Sequence, residues 1–187
     1  MYYKRVTTST LDGVPCTAES NVVAVIVNDV DGGTIGSNRT ICNGDDPDAL
    51  TSDVDGSGSG TITYQWQESP DNVTFTNVAG ATSPDFDPGT LTQTMYYRRI
   101  TTSSLNGTDC TAESNVVTIT VNDVDGGTIG SDQTICSGED PAAFTSTVDG
   151  SGDGTITFQW QSSADNITFS DIPGASSAVY DPGAITQ

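Results

Sequence analysis

The chain has no histidine and only five lysines and arginines. Lacking histidine, it lacks the commonest general base, and no Ser, Thr or Cys stands in a nucleophile motif such as Gly-x-Ser-x-Gly, so the expectation is a non-enzymatic protein. Four cysteines with no His beside them, and no closely spaced Cys pair, argue against a zinc site. Five basic residues against 25 acidic ones leave a net charge of -20. Such a charge repels phosphate backbones and anionic lipids, so nucleic acid and membrane insertion are not expected. No stretch approaches the ~18 to 20 apolar residues of a membrane span. The N-terminus has no signal-peptide core, so any export signal is expected outside these residues. Lysine occurs once, as Lys4, and its repeat counterpart is Arg98, which excludes a Lys–Asn isopeptide bond as a repeating lock. Carboxylate pairs are abundant by composition alone, so no glycosidase-type pair is assigned.

What the chain does have is a repeat. Met1-Tyr2-Tyr3-Lys4-Arg5 returns as Met95-Tyr96-Tyr97-Arg98-Arg99, and Cys16, Cys42 and Trp66 return as Cys110, Cys136 and Trp160, always 94 residues on. The alignment needs no gap, and about two-thirds of its positions are identical. A period of 94 is too long for a solenoid unit and close to the ~100 residues of an immunoglobulin-type sandwich. The alternating stretch 116–121 gives way to Asn122-Asp123-Val124-Asp125-Gly126-Gly127, matching residues 28–33. The boundary there divides the chain into residues 1–28, the C-terminal third of one module; 29–122, a complete module; and 123–187, the N-terminal two-thirds of the next. The expectation is a window on a longer array, with head-to-tail complementation between copies as the alternative.

Within the complete module, Thr61-Ile62-Thr63-Tyr64-Gln65-Trp66-Gln67 alternates strictly, which puts Ile62, Tyr64 and Trp66 on one face. Trp66 and Trp160 are therefore the expected core anchors. Further strands are expected near 49–54, 73–78, 94–101 and 115–121, separated by Gly-, Asp- and Pro-rich turns. No helical periodicity competes, so the fold class is all-β, a series of tandem immunoglobulin-like β-sandwiches. Tyr96 or Tyr97 is expected to bury its ring, and Lys4, Arg5, Arg98 and Arg99 to pair with acids at the surface, where such pairs stabilise little.

The cysteines repeat in place, which argues for structure. The preferred disulfide is Cys42 to Cys110, closing about 68 residues inside one module and worth roughly 4 kcal/mol on the chain-entropy estimate, with Cys16 and Cys136 pairing outside these residues. The alternative pairs Cys16 with Cys42 and Cys110 with Cys136 across module junctions.

Calcium is the one cofactor with a chemical case. Asp29, Asp31, Asp123 and Asp125 lie at junctions, and Asp53, Asp55 and Asp149 precede Gly-rich turns that offer carbonyl oxygens, the hard ligands this ion takes. The spacing is not that of an EF-hand, and Asp-Gly is also ordinary turn chemistry. Asn38, Asn72, Asn106 and Asn166 head glycosylation sequons.

Thr40-Ile41-Cys42, the 61–67 strand, Asp71-Asn72-Val73-Thr74-Phe75, Asp87-Pro88-Gly89, Tyr96-Tyr97-Arg98-Arg99 and Ser114-Asn115-Val116-Val117 together resemble the immunoglobulin-like repeats of giant surface adhesins and extracellular filaments of gliding bacteria. The resemblance covers the whole chain. It implies export by the type 9 route to the cell surface, association with neighbouring repeats and with other copies of the chain in a filament, and service in attachment, gliding or prey capture. A carbohydrate-binding or calcium-dependent binding module is the alternative function.

Overall fold

The computed structural model describes residues 1–130 and 132–186. They are all-β: among them there is no helix, and strands of two to eleven residues carry the hydrogen bonding. Contacts divide the chain into two compact units, one of Met1–Asn38, Asp48–Pro88 and Met95–Thr118, the other of Arg39–Pro47, Gly89–Thr94 and Ile119–Gln187. This division differs from the repeat boundary. The reason is that Arg39–Cys42 pairs in parallel with the strand Val117–Asn122 over Ile119 to Asn122, and so joins the second unit.

In the first unit the strand Thr61–Ser69 lies antiparallel to Met95–Leu105 over nine residues, from Thr61↔Ser104 to Ser69↔Tyr96. Thr76–Asn77 extends one edge and Thr108–Glu113 the other. A second set of short strands pairs Val30–Asp31 with Ser57–Gly58 and Thr34–Ile35 with Ser52–Val54, and a bridge joins Leu50 to Phe86. The alternation read from the sequence governs burial: Trp66 is fully buried, and Ile35, Leu50, Tyr97 and Val117 join it. Phe86 lies between Trp66 and Tyr97, with ring centroids 5.5 and 5.7 Å away. Burial and the neighbouring Glu68 carboxylate push the Tyr97 hydroxyl up to about 12.

The strand expected to end at Thr101 runs on to Leu105 and turns back as a hairpin. Its turn is Asn106-Gly107, with φ of 52° and 78°, the two positive values that a type I′ turn requires and that Asn-Gly favours. Asp12-Gly13 makes the same turn, φ 48° and 78°, between Val6–Leu11 and Val14–Glu19.

The second unit repeats these motifs over residues 123–186. Val124–Asp125 pairs with Ser151–Gly152, Thr128–Ile129 with Ser146–Val148, and Gln161–Ser162 with Ser170–Asp171, while Phe144 bridges Tyr180. Trp160 donates its indole N–H to the Ser177 carbonyl at 2.8 Å, as Trp66 does to Ser83 at 2.9 Å. The short ladders and the tryptophan hydrogen bond thus recur where the sequence recurs.

Candidate functional site

The chemistry of the complete repeat centres on Arg99. Its place on the Met95–Leu105 strand turns it inward with Tyr97, Thr101 and Ser103, and no part of it reaches solvent. The expected surface ion pair is not made. The guanidinium donates to the Pro84 carbonyl at 2.9 Å and, over longer distances, to those of Val54 (3.3 Å) and Gly32 (3.5 Å). It also sits 4.4 Å from the centre of the Tyr64 ring, and its Nε has no acceptor. A cation held by carbonyl dipoles and a π-face ties the Gly32 and Pro84 loops and the end of the Ser52–Val54 strand to the Met95–Leu105 strand without a carboxylate. The sequence offered no sign of this beyond strict alternation, which placed Arg99 on the same face as Tyr97. Arg98 and Lys4 do behave as expected, pairing with Glu113 at 2.7 Å and Glu19 at 2.6 Å.

Residues 123–186 contain the counterparts of the residues that surround this strand, but no counterpart of the strand itself. Thr155 to Trp160, nearly identical to the paired Thr61 to Trp66, form no ladder. Phe144, Trp160 and Tyr180 stack on one another, with centroids 5.5 to 6.4 Å apart, and line an open groove of about 740 Å³ together with Ile129, Phe169 and Ile185. Residues 1–28 show the converse. Their two hairpin ladders are made, yet Tyr3, Val23, Val25 and Val27, counterparts of the buried Tyr97, Val117, Ile119 and Val121, are at least half exposed.

The cysteines are all free thiols. The expected Cys42–Cys110 bridge is not formed; Cys42 faces Asn122 in a parallel ladder and Cys110 faces Ser103 in an antiparallel one. Neither junction pair, Cys16–Cys42 or Cys110–Cys136, is formed either.

The aspartates are dispersed, and among the described residues no three acidic, Cys or His side chains group as metal ligands. Asp31 and Asp125 accept the N–H of the glycine two residues on, each at 2.7 Å, which is turn chemistry. Asp29 takes the Val30 N–H, Asp55 the Ser52 hydroxyl and Asp123 the Asn43 amide. Asp53 lies in the strand Ser52–Val54.

Two aspartates outside the expected set are the ones with shifted acidity. In the turn Ser163-Ala164-Asp165-Asn166-Ile167-Thr168 the carboxylate of Asp165 accepts the N–H of Thr168 (2.8 Å) and of Ile167 (2.9 Å) and the Ser163 hydroxyl. These bonds hold its carboxyl down at about 2, and Asp71 is lowered by the same three interactions. A carboxyl with a depressed folded-state value contributes stability above its ordinary range and loses it as pH falls through the folded value. We therefore expect the amide resonances of Ile167 and Thr168 to keep their positions from pH 7 to about 4, then move together as pH approaches 2. Two-dimensional NMR across that window checks this, and movement already complete at pH 4 would contradict it.

The class these observations define is an all-β protein built on a 94-residue sequence repeat, with no group of three or more His, Cys, Asp or Glu that could hold a metal ion among its described residues. Residues 31–123 and 125–187 each match the family described as a domain of unknown function, DUF8696, and the chain belongs to that family. The two matches begin 94 residues apart (125 − 31), in step with the repeat. No curated protein matches the chain.

Proposed function

We propose that the chain is a non-enzymatic segment of tandem immunoglobulin-like β-sandwich repeats that serves as an extracellular filament or adhesin stalk, used for attachment, gliding or prey capture at the cell surface. The observation that carries this reading is the lock at Asn28, where one repeat passes into the next. Its side-chain amide donates to the carbonyls of Ser103 (2.6 Å) and Thr108 (3.0 Å) and accepts the Ser103 hydroxyl (2.7 Å). A junction tied by three hydrogen bonds transmits force and direction, which a flexible Gly/Ser linker does not.

The immunoglobulin-like assignment is supported by three features. A tryptophan is buried on the long Thr61–Ser69 strand, Thr34–Ile35 pairs antiparallel to one strand while the following Arg39–Cys42 pairs parallel to another, and the period is near 100 residues. A carbohydrate-binding platform would repeat an exposed aromatic face in every module, but Tyr97 is buried. Electron cryo-microscopy of the native assembly, in calcium and in chelator, is the test. We expect a continuous strand with one repeat per axial step and fixed inter-repeat angle. Freely jointed beads carrying a compact tip would sink the stalk reading, and loss of the fixed angle in chelator alone would assign calcium to Asp29, Asp31, Asp123 and Asp125.

A further inference from the structure

We propose that the recurring cysteines staple neighbouring repeats together: the cysteine ending the Arg39–Cys42 strand of one repeat forms a disulfide with the hairpin cysteine, the counterpart of Cys110, of the next. The inference rests on the tandem-array reading and says what holds its joints.

The two ends of the complete repeat give two views of one joint, because Asn28 and Asn122 are repeat counterparts (122 − 28 = 94). At Asn28 the structure shows what lies beyond the joint. The Asn28 side chain bonds the Ser103 hydroxyl and the Ser103 and Thr108 carbonyls, all on the hairpin of the repeat being entered. At Asn122 it shows what lies before the joint. There Cys42, of the repeat being left, stands directly opposite in a parallel ladder. Laying the two views on each other brings the strand cysteine of one repeat and the hairpin of the next to the same asparagine.

Side-chain direction brings the thiols together. Cys110 is paired with Ser103 across the hairpin, so their side chains share a face. That face is the one aimed at Asn28, since the Ser103 hydroxyl donates to the Asn28 side chain at 2.7 Å. Cys42 shares a face with Asn122 by the same rule. Each cysteine thus lies one strand spacing, about 5 Å, from a residue of the hydrogen-bonded Asn–Ser pair. The two Cα atoms are thereby brought toward the roughly 6 Å separation that a disulfide takes. Within one repeat the same cysteines are kept apart. From Cys110 to Asn122, which faces Cys42, the chain runs twelve residues (122 − 110) along the Met95–Leu105 strand, roughly 30 Å or more at about 3.3 Å per residue.

Both kinds of cysteine recur with the 94-residue period, Cys42 as Cys136 and Cys16 as Cys110, so every joint receives one of each. Bond formation oxidises two thiols to one S–S bond. Two electrons and two protons pass to the oxidant, a small-molecule or protein disulfide, which is reduced to two thiols.

The 187-residue chain, oxidised at low concentration with glutathione disulfide, should yield no Cys42–Cys110 bond in an unreduced digest read by mass spectrometry. That bond would overturn the proposal. Extending the chain after Gln187 by its own residues 94–122 supplies a hairpin cysteine 162 residues after Cys42 (110 + 94 − 42). With Cys110→Ser to make the appended peptide unique, we expect a bond from Cys42 to the appended cysteine, lost in Cys42→Ser with an unchanged circular dichroism spectrum. A bond from Cys136 to the appended cysteine, or from Cys16 to Cys42, would overturn it. The native protein decides independently of how the extended chain folds. There the Cys42 peptide should be joined to a hairpin-cysteine peptide of another repeat, and free thiols at Cys42 and Cys110 refute the staple. Free thiols in an array that keeps a fixed inter-repeat angle leave the stalk reading standing, whereas native peptides with no further repeat remove both.

Discussion

Trp66→Ala should destabilise the first unit by roughly 4 kcal/mol, the largest effect of any single truncation in the chain. The side chain is fully buried, its ring packs on Phe86, and its indole N–H is the donor to the Ser83 carbonyl. Alanine leaves a cavity on the sheet and orphans that carbonyl, and the two losses add. Trp66→Phe retains most of the apolar area and loses chiefly the hydrogen bond, so about 1 to 2 kcal/mol is expected. Trp160→Ala supplies the contrast. The same hydrogen bond is lost there, but the ring lines an open groove and is only partly buried, so the effect should be less than half as large. Hydrogen exchange of peptides from Met95–Leu105 and from residues 155–172, compared between the two variants, reads each unit separately. Equal effects would mean that burial does not decide the cost.

Arg99→Ala is the second large effect, about 3 kcal/mol, and here two terms oppose. Removing a fully buried cation relieves its desolvation, which for buried ion pairs often makes apolar replacements neutral or better. Against this, the Pro84 carbonyl loses its short bond, those of Val54 and Gly32 lose weaker ones, and the Tyr64 ring loses its cation. With no carboxylate to strand, the cost lies in the carbonyls and the vacated volume, each on the order of 1 to 2 kcal/mol. Arg99→Met separates the terms: it keeps the volume and removes the donors. We expect it to fall between wild type and Arg99→Ala by denaturant unfolding. A methionine variant more stable than wild type would show that desolvation outweighs the bonds.

Particular elements show why some of the architecture was readable in advance and some was not. The 61–69 strand, the inward tryptophan and the 94-residue period follow from alternation and self-similarity, which are properties of the sequence itself. The Asn106-Gly107 hairpin carried an equally local signal, yet the expected strand stopped at Thr101. The run of Thr and Ser beyond it lacks apolar contrast, and the turn dipeptide is what extends the strand to Leu105. Arg99 was misplaced for a different reason. Charge usually means surface, and only the convergence of Pro84, Gly32 and Val54 carbonyls on one point makes its burial tolerable. The aspartates at the junctions have chemistry suited to calcium, and each also accepts a hydrogen bond from a nearby donor, a matter of local geometry that composition cannot convey.

The cysteines mark the division most clearly. Their regular recurrence was visible, and it suggested a bridge of about 68 residues. Which residue each one faces depends on ladder register, set by backbone pairing between segments distant in sequence: Cys42 against Asn122, Cys110 against Ser103. By itself, then, the sequence determined the all-β class, the 94-residue repeat, the inward face of the central strand and the strong net acidity. Those are consequences of local periodicity and composition, which need no partner segment to be expressed. Only the tertiary structure decided which residue each cysteine faces in its ladder, that a cation could be buried without an acid, and that Phe144, Trp160 and Tyr180 line an open groove while Tyr3 and Val23 stay exposed. Each of these depends on whether a second, distant segment lies alongside the first, and in a β protein that pairing is what converts a pattern into a surface or a core.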